Sequence, residues 1–373
     1  MKKVLIVATV QSHIAQFHKP LMKLLKENGY EVHIVARDNL EEKNGLELEY
    51  VDKVYDINFN RSPFSLKNVT AYKHLKKIIN ENKYDIINCN TPVGGVLTRL
   101  ACKKARKNGT KVYYTVHGFH FYKGASKKNW IIYYPIEKLL SKKCDKIITI
   151  TDEDYELAKK KFKTEIVRLH GVGANSSKYY VYDEQRVLEV KKKLKVDENS
   201  PVLLSIGELL ENKNQKIAIY AMTKIVEKYK KAKLLIAGNG KTLNQLKTIV
   251  KENRLTDNVV FCGYRNDLND FINACDILIT CSYREGLPLN VIEAMMCGKP
   301  VIASNNRGHR ELVDDKNTGF IVPYDEYEEI ANKVNILIKD EKLYEMISNN
   351  ALEKSKKYID KTVVKELKEI YEV

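Results

Sequence analysis

Short apolar runs alternate with segments of helical length through both halves of the chain. In the first half the runs lie at residues 4–10, Glu31–Ala36, Asp85–Asn88, Lys111–Val116 and Lys146–Ile150. In the second half they lie at Val202–Ile206, Lys233–Ala237, Val259–Cys262, Ile277–Thr280 and Val301–Ala303. Such alternation is typical of a parallel sheet covered by helices on both faces. It predicts an α/β protein with two Rossmann-like series, in which the first helix covers Ala15–Asn28.

The segment Leu169–Tyr180, LHGVGANSSKYY, interrupts the alternation and is rich in Gly, Asn and Ser. Such composition indicates a linker, so we assign an N-terminal domain to residues 1–178 and a C-terminal domain to 179–357. The last stretch forms an amphipathic helix, and we expect residues 358–373 to join the N-terminal domain. Two successive Rossmann-like domains are expected to face each other across a cleft, where small molecules usually bind.

The N-terminal apolar run and the cysteines favour a cytoplasmic protein. The run stops at Thr9 without a small-residue cleavage pattern, so we expect a buried strand rather than a signal peptide. No stretch of about 18 apolar residues predicts a membrane-spanning helix. The seven cysteines form no CxxC pair, which favours free thiols in a reducing compartment over a disulfide framework or a zinc site.

Basic residues are concentrated in the first half of the chain. The 373 residues carry a net charge of +16, and residues 1–178 hold 33 Lys+Arg against 18 Asp+Glu. This asymmetry suggests an anionic partner, such as nucleic acid or a membrane surface, although solubility alone also explains it. We expect no nucleic-acid partner, because the chain has no zinc-finger spacing, RNP-like aromatic motif or densely basic arm.

Residues 126–144, SKKNWIIYYPIEKLLSKKC, combine lysines at both ends with a central aromatic and aliphatic stretch. This pattern predicts a helix that lies in the interface of an anionic membrane, with Trp130, Ile131, Tyr133, Tyr134 and Leu139 on its apolar face. A helix that packs on the core and has solvated ends fits the same pattern.

Two short motifs resemble phosphate or metal sites but lack the required context. Gly238–Thr242 matches the end of a P-loop, yet the first glycine of that motif would fall at Leu235 inside a strand. The pair Asp152 and Asp154 fits a minimal metal-binding pattern but stands where a helix begins, which favours capping. Because the eight histidines also lack ligand spacing, we expect no metal site.

The segment from Glu285 to Glu293, EGLPLNVIE, follows a predicted strand and leads into an apolar helix, Val291–Cys297. Gly286 permits close approach to the backbone, and Pro288 suits a first helical turn. The N–H groups and dipole at such a helix N-terminus favour a diphosphate. The two carboxylates fall on different elements and fit two parts of one ligand, although Glu293 also fits a plain helix-surface position.

The longer segment EGLPLNVIEAMMCGKPVIAS resembles the E-x7-E signature of the family 4 glycosyltransferases, which are retaining enzymes of the GT-B fold. The resemblance covers nearly the whole chain, including KKVLIVATV, SIGELLENKNQ and LLIAGNGKTLNQL. The segment HGFHFYKG, together with GEL-x3-KN, is similar to the bacterial branch that builds capsule, exopolysaccharide and other lipid-linked glycans.

The resemblance implies roles for individual residues. It implies a catalytic set of His117, Lys213 and Glu285 and a donor-binding set of Gly207, Arg265, Gly286, Leu287, Pro288, Leu289 and Glu293. Glu285 would contact the donor sugar, and the N–H groups of Gly286 and Leu287 would bind the distal phosphate. Lys213 would pair with the diphosphate and Glu293 with the ribose. His117 would lie beside the reacting centre, and Arg265 near the base.

Three positions depart from the family pattern. Glu208 replaces the Arg that usually follows Gly207, which removes one phosphate-binding charge. Gln11-Ser12-His13 replaces the usual glycine pair, so the Ser12 N–H or the His13 ring is expected on the acceptor side. Asn175 replaces the usual Asp of the linker.

The resemblance implies a retaining hexosyltransferase that takes a sugar from a nucleotide-sugar, UDP-linked on family grounds. The acceptor would be a hydroxyl of a polyprenyl-diphosphate-linked glycan at the cytoplasmic face of the membrane, where the enzyme would be peripheral. The implied mechanism is front-face attack, with no metal or other cofactor. Two alternatives stay open: a nucleotide-sugar epimerase or hydrolase of the same fold, and a membrane-bound non-catalytic scaffold, which Glu208 would suit.

Overall fold

The computed structural model describes residues 1–43, 46–60, 62 and 65–373. The chain forms two compact units, one of residues 1–173 with 360–373 and one of residues 174–359. We call them the N-terminal and C-terminal units. The predicted boundaries, 178/179 and 357/358, lie a few residues away. The segment after Gly173 joins the C-terminal unit because the Ala174 N–H donates to the Tyr358 carbonyl and its side chain lies in that unit's core.

The N-terminal unit contains a seven-stranded parallel sheet. Its strands are β1 (Lys2–Val10), β2 (Tyr30–Arg37), β3 (Lys53–Asp56), β4 (Ile86–Asn90), β5 (Lys111–Val116), β6 (Lys146–Thr149) and β7 (Glu165–Arg168). They pair in the order β3-β2-β1-β4-β5-β6-β7. Strand β1 is buried continuously from Val4 to Val10. A parallel strand with both faces covered requires such an unbroken apolar run.

The described residues of the N-terminal unit form seven α-helices before the linker. They are α1 (Gln11–Phe17), α2 (Lys19–Glu27), α3 (Lys67–Asn82), α4 (Pro92–Ala101), α5 (Lys103–Lys107), α6 (Lys127–Ser141) and α7 (Asp152–Lys161). The single helix predicted over Ala15–Asn28 is wrong, because the chain breaks at His18 and starts again with Pro20 in the first turn of α2. Proline suits a first turn but disrupts a helix interior.

The C-terminal unit contains a six-stranded parallel sheet, in the order β10-β9-β8-β11-β12-β13. Its strands are β8 (Val202–Ile206), β9 (Lys233–Ala237), β10 (Val259–Gly263), β11 (Ile277–Thr280), β12 (Val301–Ser304) and β13 (Gly319–Val322). Its helices are α8 (Glu184–Lys193), α9 (Gln215–Lys228), α10 (Leu243–Glu252), α11 (Leu268–Ala274), α12 (Leu289–Met296), α13 (Arg307–Leu312), α14 (Tyr327–Lys339) and α15 (Glu341–Ser355). The predicted α/β class with two parallel sheets is confirmed.

The last helix, α16 (Asp360–Tyr371), returns to the N-terminal unit. Its buried face consists of Val363, Leu367, Ile370 and Tyr371, which join the core that α2 also covers. The Tyr371 hydroxyl accepts a hydrogen bond of 2.8 Å from the Asn88 side chain in β4. The C-terminal helix is therefore built into the core of the N-terminal unit.

Helix α6 covers most of the predicted interfacial segment, but its apolar residues do not form one face. The aromatic side chains Trp130, Tyr133 and Tyr134 pack on the core of the N-terminal unit. Ile131 and Leu139 are 74% and 63% exposed. The predicted single apolar face is therefore wrong, since the inner side of the helix takes the aromatic residues. None of the helices in the described parts of the chain combines the length and hydropathy that a membrane crossing requires.

The strand order reverses beside the first strand of each sheet, between β1 and β4 and between β8 and β11. Loops that follow the strands diverge at such a point and leave room for a ligand at the carboxyl ends. In the N-terminal unit α1, which directly follows β1, carries Ser12 and His13. In the C-terminal unit the loops after β8 and β11 carry Lys213 and Glu285. The topology thus places the candidate residues at the ligand-binding ends of both sheets.

Candidate active site

The loops after β8 and β9 touch backbone to backbone at glycines. Gly207 and Gly238 have φ values of 153° and 148°, which side-chain-bearing residues rarely adopt. A Cβ on Gly238 would lie 2.8 Å from the carbonyl carbon of Gly207, and one on Gly240 would lie 2.7 Å from that of Leu209. These glycines therefore permit two loops to pack, which agrees with a strand-to-helix turn rather than a P-loop.

The loop after β8 ends in a short 3₁₀ turn, Glu211–Lys213, whose last residue faces Glu285. Lys213 Nζ lies 2.6 Å from Glu285 Oε1, and the two side chains are 25% and 14% exposed. The sequence assigned both residues to the site but did not predict that they pair. The two groups therefore neutralise each other's charge.

Backbone contacts fix the loop that carries Glu285. The Tyr283 N–H donates to the Asn212 carbonyl at 2.9 Å, and the Asn212 side chain donates to the Arg284 carbonyl at 2.9 Å. Helix α13 packs against the same loop, because a Cβ on Gly308 would lie 2.9 Å from Glu285 Cβ and would overlap the Gly286 carbonyl oxygen. Glu285 thus sits on a loop held from two sides.

Helix α12 begins directly after this loop, with Pro288 as its N-cap residue. It starts at Leu289, two residues earlier than predicted. The Asn290 side chain donates to the Ile206 carbonyl at 2.9 Å and so ties the helix start to the end of β8. The first N–H groups of a helix have no intrahelical partner and carry the positive end of its dipole. The arrangement therefore suits an anion, as predicted for the segment from Glu285 to Glu293.

Glu293 lies in the second turn of α12 and is half-buried. Burial raises its pKa to about 7, while a hydrogen bond from the Tyr179 hydroxyl and the nearby charge of Lys178 act in the opposite direction. Burial and the same carboxylate raise the pKa of Tyr179. Glu293 is therefore no plain helix-surface residue, and Tyr179 is a neighbour that sequence reasoning missed.

His309 is a second residue that sequence reasoning missed. It lies in α13, and its Nδ1 is 2.7 Å from the Ser304 carbonyl oxygen while its Nε2 is 3.2 Å from Thr280 Oγ1. Burial lowers its pKa to about 4, with a smaller opposing influence from Glu285. A neutral His309 thus links the ends of β11 and β12 behind the Glu285 loop. The sequence analysis singled out no residue of this helix, although Asn306, whose side chain caps α13, could have marked its start.

Arg265 and Glu208 stand at the edges of this region. Arg265 donates two hydrogen bonds to Asp267, of 2.8 and 2.5 Å, and its guanidinium lies 5.0 Å from the centre of the Phe271 ring. It follows the edge strand β10, so its predicted place near a base stays a prediction. Glu208 is exposed next to Gly207. It adds negative charge where the family pattern has an arginine.

In the N-terminal unit, His117 follows β5 and meets two histidines from the region of α1. Its ring centre lies 4.5 Å from that of His13 and 5.3 Å from that of His18. Burial lowers the pKa of His117 to about 4 and lowers that of His18 well below its usual value. His117 is therefore neutral at physiological pH and offers a lone pair rather than a positive charge.

A cavity of about 260 Å³ adjoins His117 in the same unit, and its lining includes His13, Thr91, His120, Tyr133 and Glu137. The rings of His120 and Tyr133 stack with 4.5 Å between their centres. The buried Glu137 accepts hydrogen bonds from Arg99 at 2.9 Å and from the Tyr114 hydroxyl at 3.2 Å. The cavity thus combines aromatic faces with a fixed carboxylate.

Ser12 differs from its predicted role. Its N–H donates to Asn39 Oδ1 at 3.0 Å, and its hydroxyl oxygen accepts from Asn39 Nδ2 at 2.8 Å. Both contacts are buried and hold α1 against the loop after β2. The Ser12 N–H is therefore already engaged inside the unit, which leaves His13 as the acceptor-side candidate of this turn.

The pair Asp152 and Asp154 occupies the first turn of α7. The Thr151 side chain caps this helix by accepting from the Asp154 N–H at 3.3 Å, and Asp152 accepts from Arg168 Nε at 2.8 Å. Acidic residues in a first turn stabilise the helix dipole. The geometry agrees with the capping interpretation of this motif.

Comparison with known proteins matches both units to glycosyltransferase families. Residues 3–151 match the family model described as glycosyl transferase 4-like, and residues 187–354 match glycosyl transferases group 1. The chain is 37% identical over 372 residues to the putative glycosyltransferase EpsD of Bacillus subtilis, covering 99% of this chain and 96% of that protein. It is 26% identical over 344 residues to an Escherichia coli UDP-Gal:alpha-D-GlcNAc-diphosphoundecaprenol alpha-1,3-galactosyltransferase, covering 89% and 86% of the two chains.

The fold also matches solved structures along its whole length. The crystal structure of Anabaena HepE in complex with UDP and glucose aligns with a TM-score of 0.78 at 21% identity, covering 100% of both chains. At that identity the likeness establishes the fold alone, which is the GT-B fold. Together with the identity to EpsD over nearly the full length, these matches show that the chain is a glycosyltransferase and belongs to the group 1 family, of the family 4 type.

Proposed function

We propose that this glycosyltransferase moves a sugar from a UDP-sugar to a hydroxyl of a polyprenyl-diphosphate-linked glycan, with retention at the anomeric carbon. The similar Escherichia coli enzyme is named for a UDP-galactose donor and a diphosphoundecaprenol-linked acceptor, which supports both substrate classes. The Anabaena structure of the same fold holds UDP and glucose. A capsule or exopolysaccharide product in a bacterium fits this chemistry.

The observation that carries the proposal is the Lys213–Glu285 ion pair. Glu285 lies four residues before the first residue of α12. The leaving group of a nucleotide-sugar is a diphosphate, which gains negative charge as the sugar bond breaks. Lys213 and the first N–H groups of α12 supply fixed positive potential for that charge. Preorganised donors of this kind stabilise a transition state without reorganisation at the moment of reaction.

The ion pair must break when the donor binds, and each of its two residues then contacts a different part of the donor. When a diphosphate takes Lys213, the Glu285 carboxylate loses its partner and turns to the hydroxyls of the donor sugar. Glu293 lies eight positions after Glu285, in the second turn of α12. In this proposal its ionised carboxylate accepts hydrogen bonds from the ribose hydroxyls. Donor binding thus replaces the Lys213–Glu285 salt bridge with contacts from the protein to the diphosphate, the sugar and the ribose of the donor.

Transfer in this proposal needs no metal, because Lys213 and α12 provide the charge that a cation would supply. The acceptor hydroxyl attacks from the face that the diphosphate leaves, and the leaving phosphate takes its proton. Such front-face attack needs no pair of carboxylates of the kind that glycosidases use. The neutral His117 accepts a hydrogen bond from a sugar hydroxyl and orients it.

We place the acceptor in the N-terminal unit and its lipid in an anionic membrane surface at the cytoplasmic face. This unit carries 35 Lys+Arg against 22 Asp+Glu. Helix α6 exposes Ile131 and Leu139 between Lys127 and Lys128 at one end and Lys142 and Lys143 at the other. Exposed aliphatic side chains flanked by lysines suit shallow insertion among anionic head groups.

A panel of nucleotide-sugars, tested first by thermal shift and then by transfer to a short polyprenyl-diphosphate-linked sugar, tests the proposal. A donor that binds the native state raises the melting temperature, and the same donor is expected to yield a product only with the lipid-linked acceptor. Free or epimerised sugar without acceptor would indicate the hydrolase or epimerase. If no nucleotide-sugar of the panel binds, the result would indicate a non-catalytic scaffold, the alternative that is consistent with Glu208 in place of the usual arginine.

A further inference from the structure

Three histidines from separate parts of the N-terminal unit converge on one point. His13 lies in α1, His18 lies between α1 and α2, and His117 follows β5. One ring nitrogen of each lies within 4.8 Å of the other two. Among residues 1–43, 46–60, 62 and 65–373, this is the one group of three or more His, Cys, Asp or Glu side chains with such spacing.

The surroundings of the cluster leave nitrogen atoms unsatisfied. Nε2 of His18 and Nε2 of His117 are buried and have no hydrogen-bond partner. Buried polar atoms without a partner are rare in native proteins and call for a specific explanation. The ring of Phe17 lies 4.9 Å from that of His13 and 5.7 Å from that of His117, so an apolar wall closes one side.

Ordinary core packing explains the cluster poorly. An imidazole buried only for packing normally donates or accepts a hydrogen bond, as His33 does with Tyr84 at 2.8 Å and with Glu31 at 2.7 Å. His18 and His117 instead meet edge to face, with 85° between their ring planes.

We propose that His13, His18 and His117 bind a divalent transition-metal ion of the zinc class through three imidazole nitrogens. Imidazole ligands suit Zn²⁺, Cu²⁺ and Ni²⁺. Zinc–nitrogen bonds are about 2.0–2.1 Å long, so the nitrogen atoms would draw together by on the order of 1 Å when the ion enters. His13 and His117 also line the 260 Å³ cavity, so a water molecule or a substrate hydroxyl in that cavity would supply the fourth ligand.

The ion is an inhibitor in this scheme and takes no part in transfer. A metal on His117 occupies the lone pair that the proposed reaction uses and holds the ring in place. This consequence rests on the proposed function, whereas metal binding itself does not. Direct binding is therefore the first measurement, and activity is the second.

The test uses the full chain without a histidine tag, stripped with EDTA and dialysed against Zn²⁺ or Co²⁺. We expect one equivalent of metal per chain by elemental analysis, and the visible absorption of tetrahedral Co²⁺. His13→Gln and His18→Gln are each expected to weaken binding by about tenfold or more, the range in which even outer-shell changes act. His74→Gln, an exposed histidine on α3, is the matched control.

His18 is buried and its variant requires a folding check by circular dichroism, but His13 is only half-buried and gives an independent answer. The proposal is overturned if the wild-type chain takes up no stoichiometric metal, or if both folded variants bind it as tightly as His74→Gln. If transfer activity is established, Zn²⁺ is expected to abolish it and EDTA to restore it. Full activity of the zinc-loaded enzyme would overturn the inhibitory role and leave the binding result intact.

Discussion

Lys213 and Glu285 form an ion pair in the C-terminal unit, with 2.6 Å between Lys213 Nζ and Glu285 Oε1. The two residues follow β8 and β11, which are neighbours in the sheet although 72 positions separate the residues in the chain. The diphosphate that we propose to bind here would contact Lys213 at the nitrogen that the Glu285 carboxylate contacts. When a donor binds there, its diphosphate is expected to take the place of the Glu285 carboxylate beside Lys213.

Replacing Lys213 with Ala is expected to lower the turnover number by about 100-fold or more, comparable to the loss of one oxyanion-hole donor. The variant lacks the positive charge that we propose stabilises the leaving diphosphate. The negative charge of Glu285 then has no partner and repels the diphosphate. Steady-state kinetics with saturating donor measure the effect. Lys224→Ala, an exposed lysine of α9, is the control. Equal turnover of the two variants would remove Lys213 from the phosphate site.

Donor affinity is expected to fall as the pH drops below about 7. Burial raises the pKa of Glu293 to about 7, so the carboxylate that we propose accepts hydrogen bonds from the ribose hydroxyls becomes protonated in that range. Titration calorimetry at pH 6 and pH 8 measures the change, which should be absent in Glu293→Gln. A pH-independent affinity in the wild-type enzyme would contradict the assigned role.

The same carboxylate is expected to destabilise the fold at high pH. An acid whose pKa rises from 4.5 to about 7 on folding binds its proton more tightly in the native state. Its cost to stability is therefore absent below about pH 4.5 and complete above about pH 7. Glu293→Gln should be more stable than the wild type at pH 8 by on the order of 1–3 kcal/mol, and equal at pH 4.5.

Thermal melts at both pH values check this prediction. Glu345→Gln, an exposed glutamate of α15 in the same unit, is expected to change the melting temperature little at either pH. A Glu293→Gln protein that is less stable than the wild type at pH 8 would show that the carboxylate is held by strong compensating contacts.

Replacing Gly308 with Ala is expected to weaken donor binding by displacing the Glu285 loop. The added Cβ would overlap the Gly286 carbonyl oxygen and lie 2.9 Å from Glu285 Cβ. Gly319→Ala is the matched control, because its Cβ would lie 2.8 Å from Val313 Cγ1 at the start of β13. Overpacking costs about 1–3 kcal/mol at either place. Only Gly308→Ala should also lose donor affinity, and equal affinities would contradict the account.

Binding to anionic vesicles is expected to require the exposed aliphatic residues of α6. The double substitution Ile131→Asn and Leu139→Asn should abolish sedimentation with vesicles that contain acidic lipids, while the fold remains intact because both side chains are largely exposed. Leu188→Asn, at an exposed leucine of the C-terminal unit, is the control. If the double variant sediments with the vesicles as the wild type does, α6 is not the membrane contact. The excess of basic residues in the N-terminal unit would then be explained by solubility.

Most of the sheet architecture could be predicted from the sequence because buried parallel strands are continuous apolar runs. The runs Lys111–Val116 and Val202–Ile206 have the predicted bounds. Three strands were missed, β3, β7 and β13, and each is the edge strand of its sheet. Strands β3 and β7 are incompletely covered, so their sequences carry a weak apolar signal, whereas β13 is mostly buried but only four residues long.

The donor-side loop could be predicted because its chemistry lies in one contiguous segment, from Glu285 to Glu293. The contacts that hold it could not, because Gly308, His309 and Tyr179 approach from other elements. The histidine cluster was missed for the same reason, since His117 stands 99 positions after His18. The spacing of ligand residues along a chain detects sites that lie on one helix or loop. It does not detect sites whose residues are distant in sequence and come together only in the folded protein.

The account's central claim is that Lys213, Glu285 and the start of α12 bind the diphosphate of a nucleotide-sugar. Titration calorimetry of UDP-sugars in the presence of EDTA, with the wild type, Lys213→Ala and Lys224→Ala, tests it most directly. The account predicts one site per chain, equal affinity in the wild type and Lys224→Ala, and an affinity lowered by about tenfold or more in Lys213→Ala, in the range of 1.5–3 kcal/mol for a hydrogen bond to a charged group. Wild-type affinity in Lys213→Ala, or no binding of any UDP-sugar to the wild type, would contradict it.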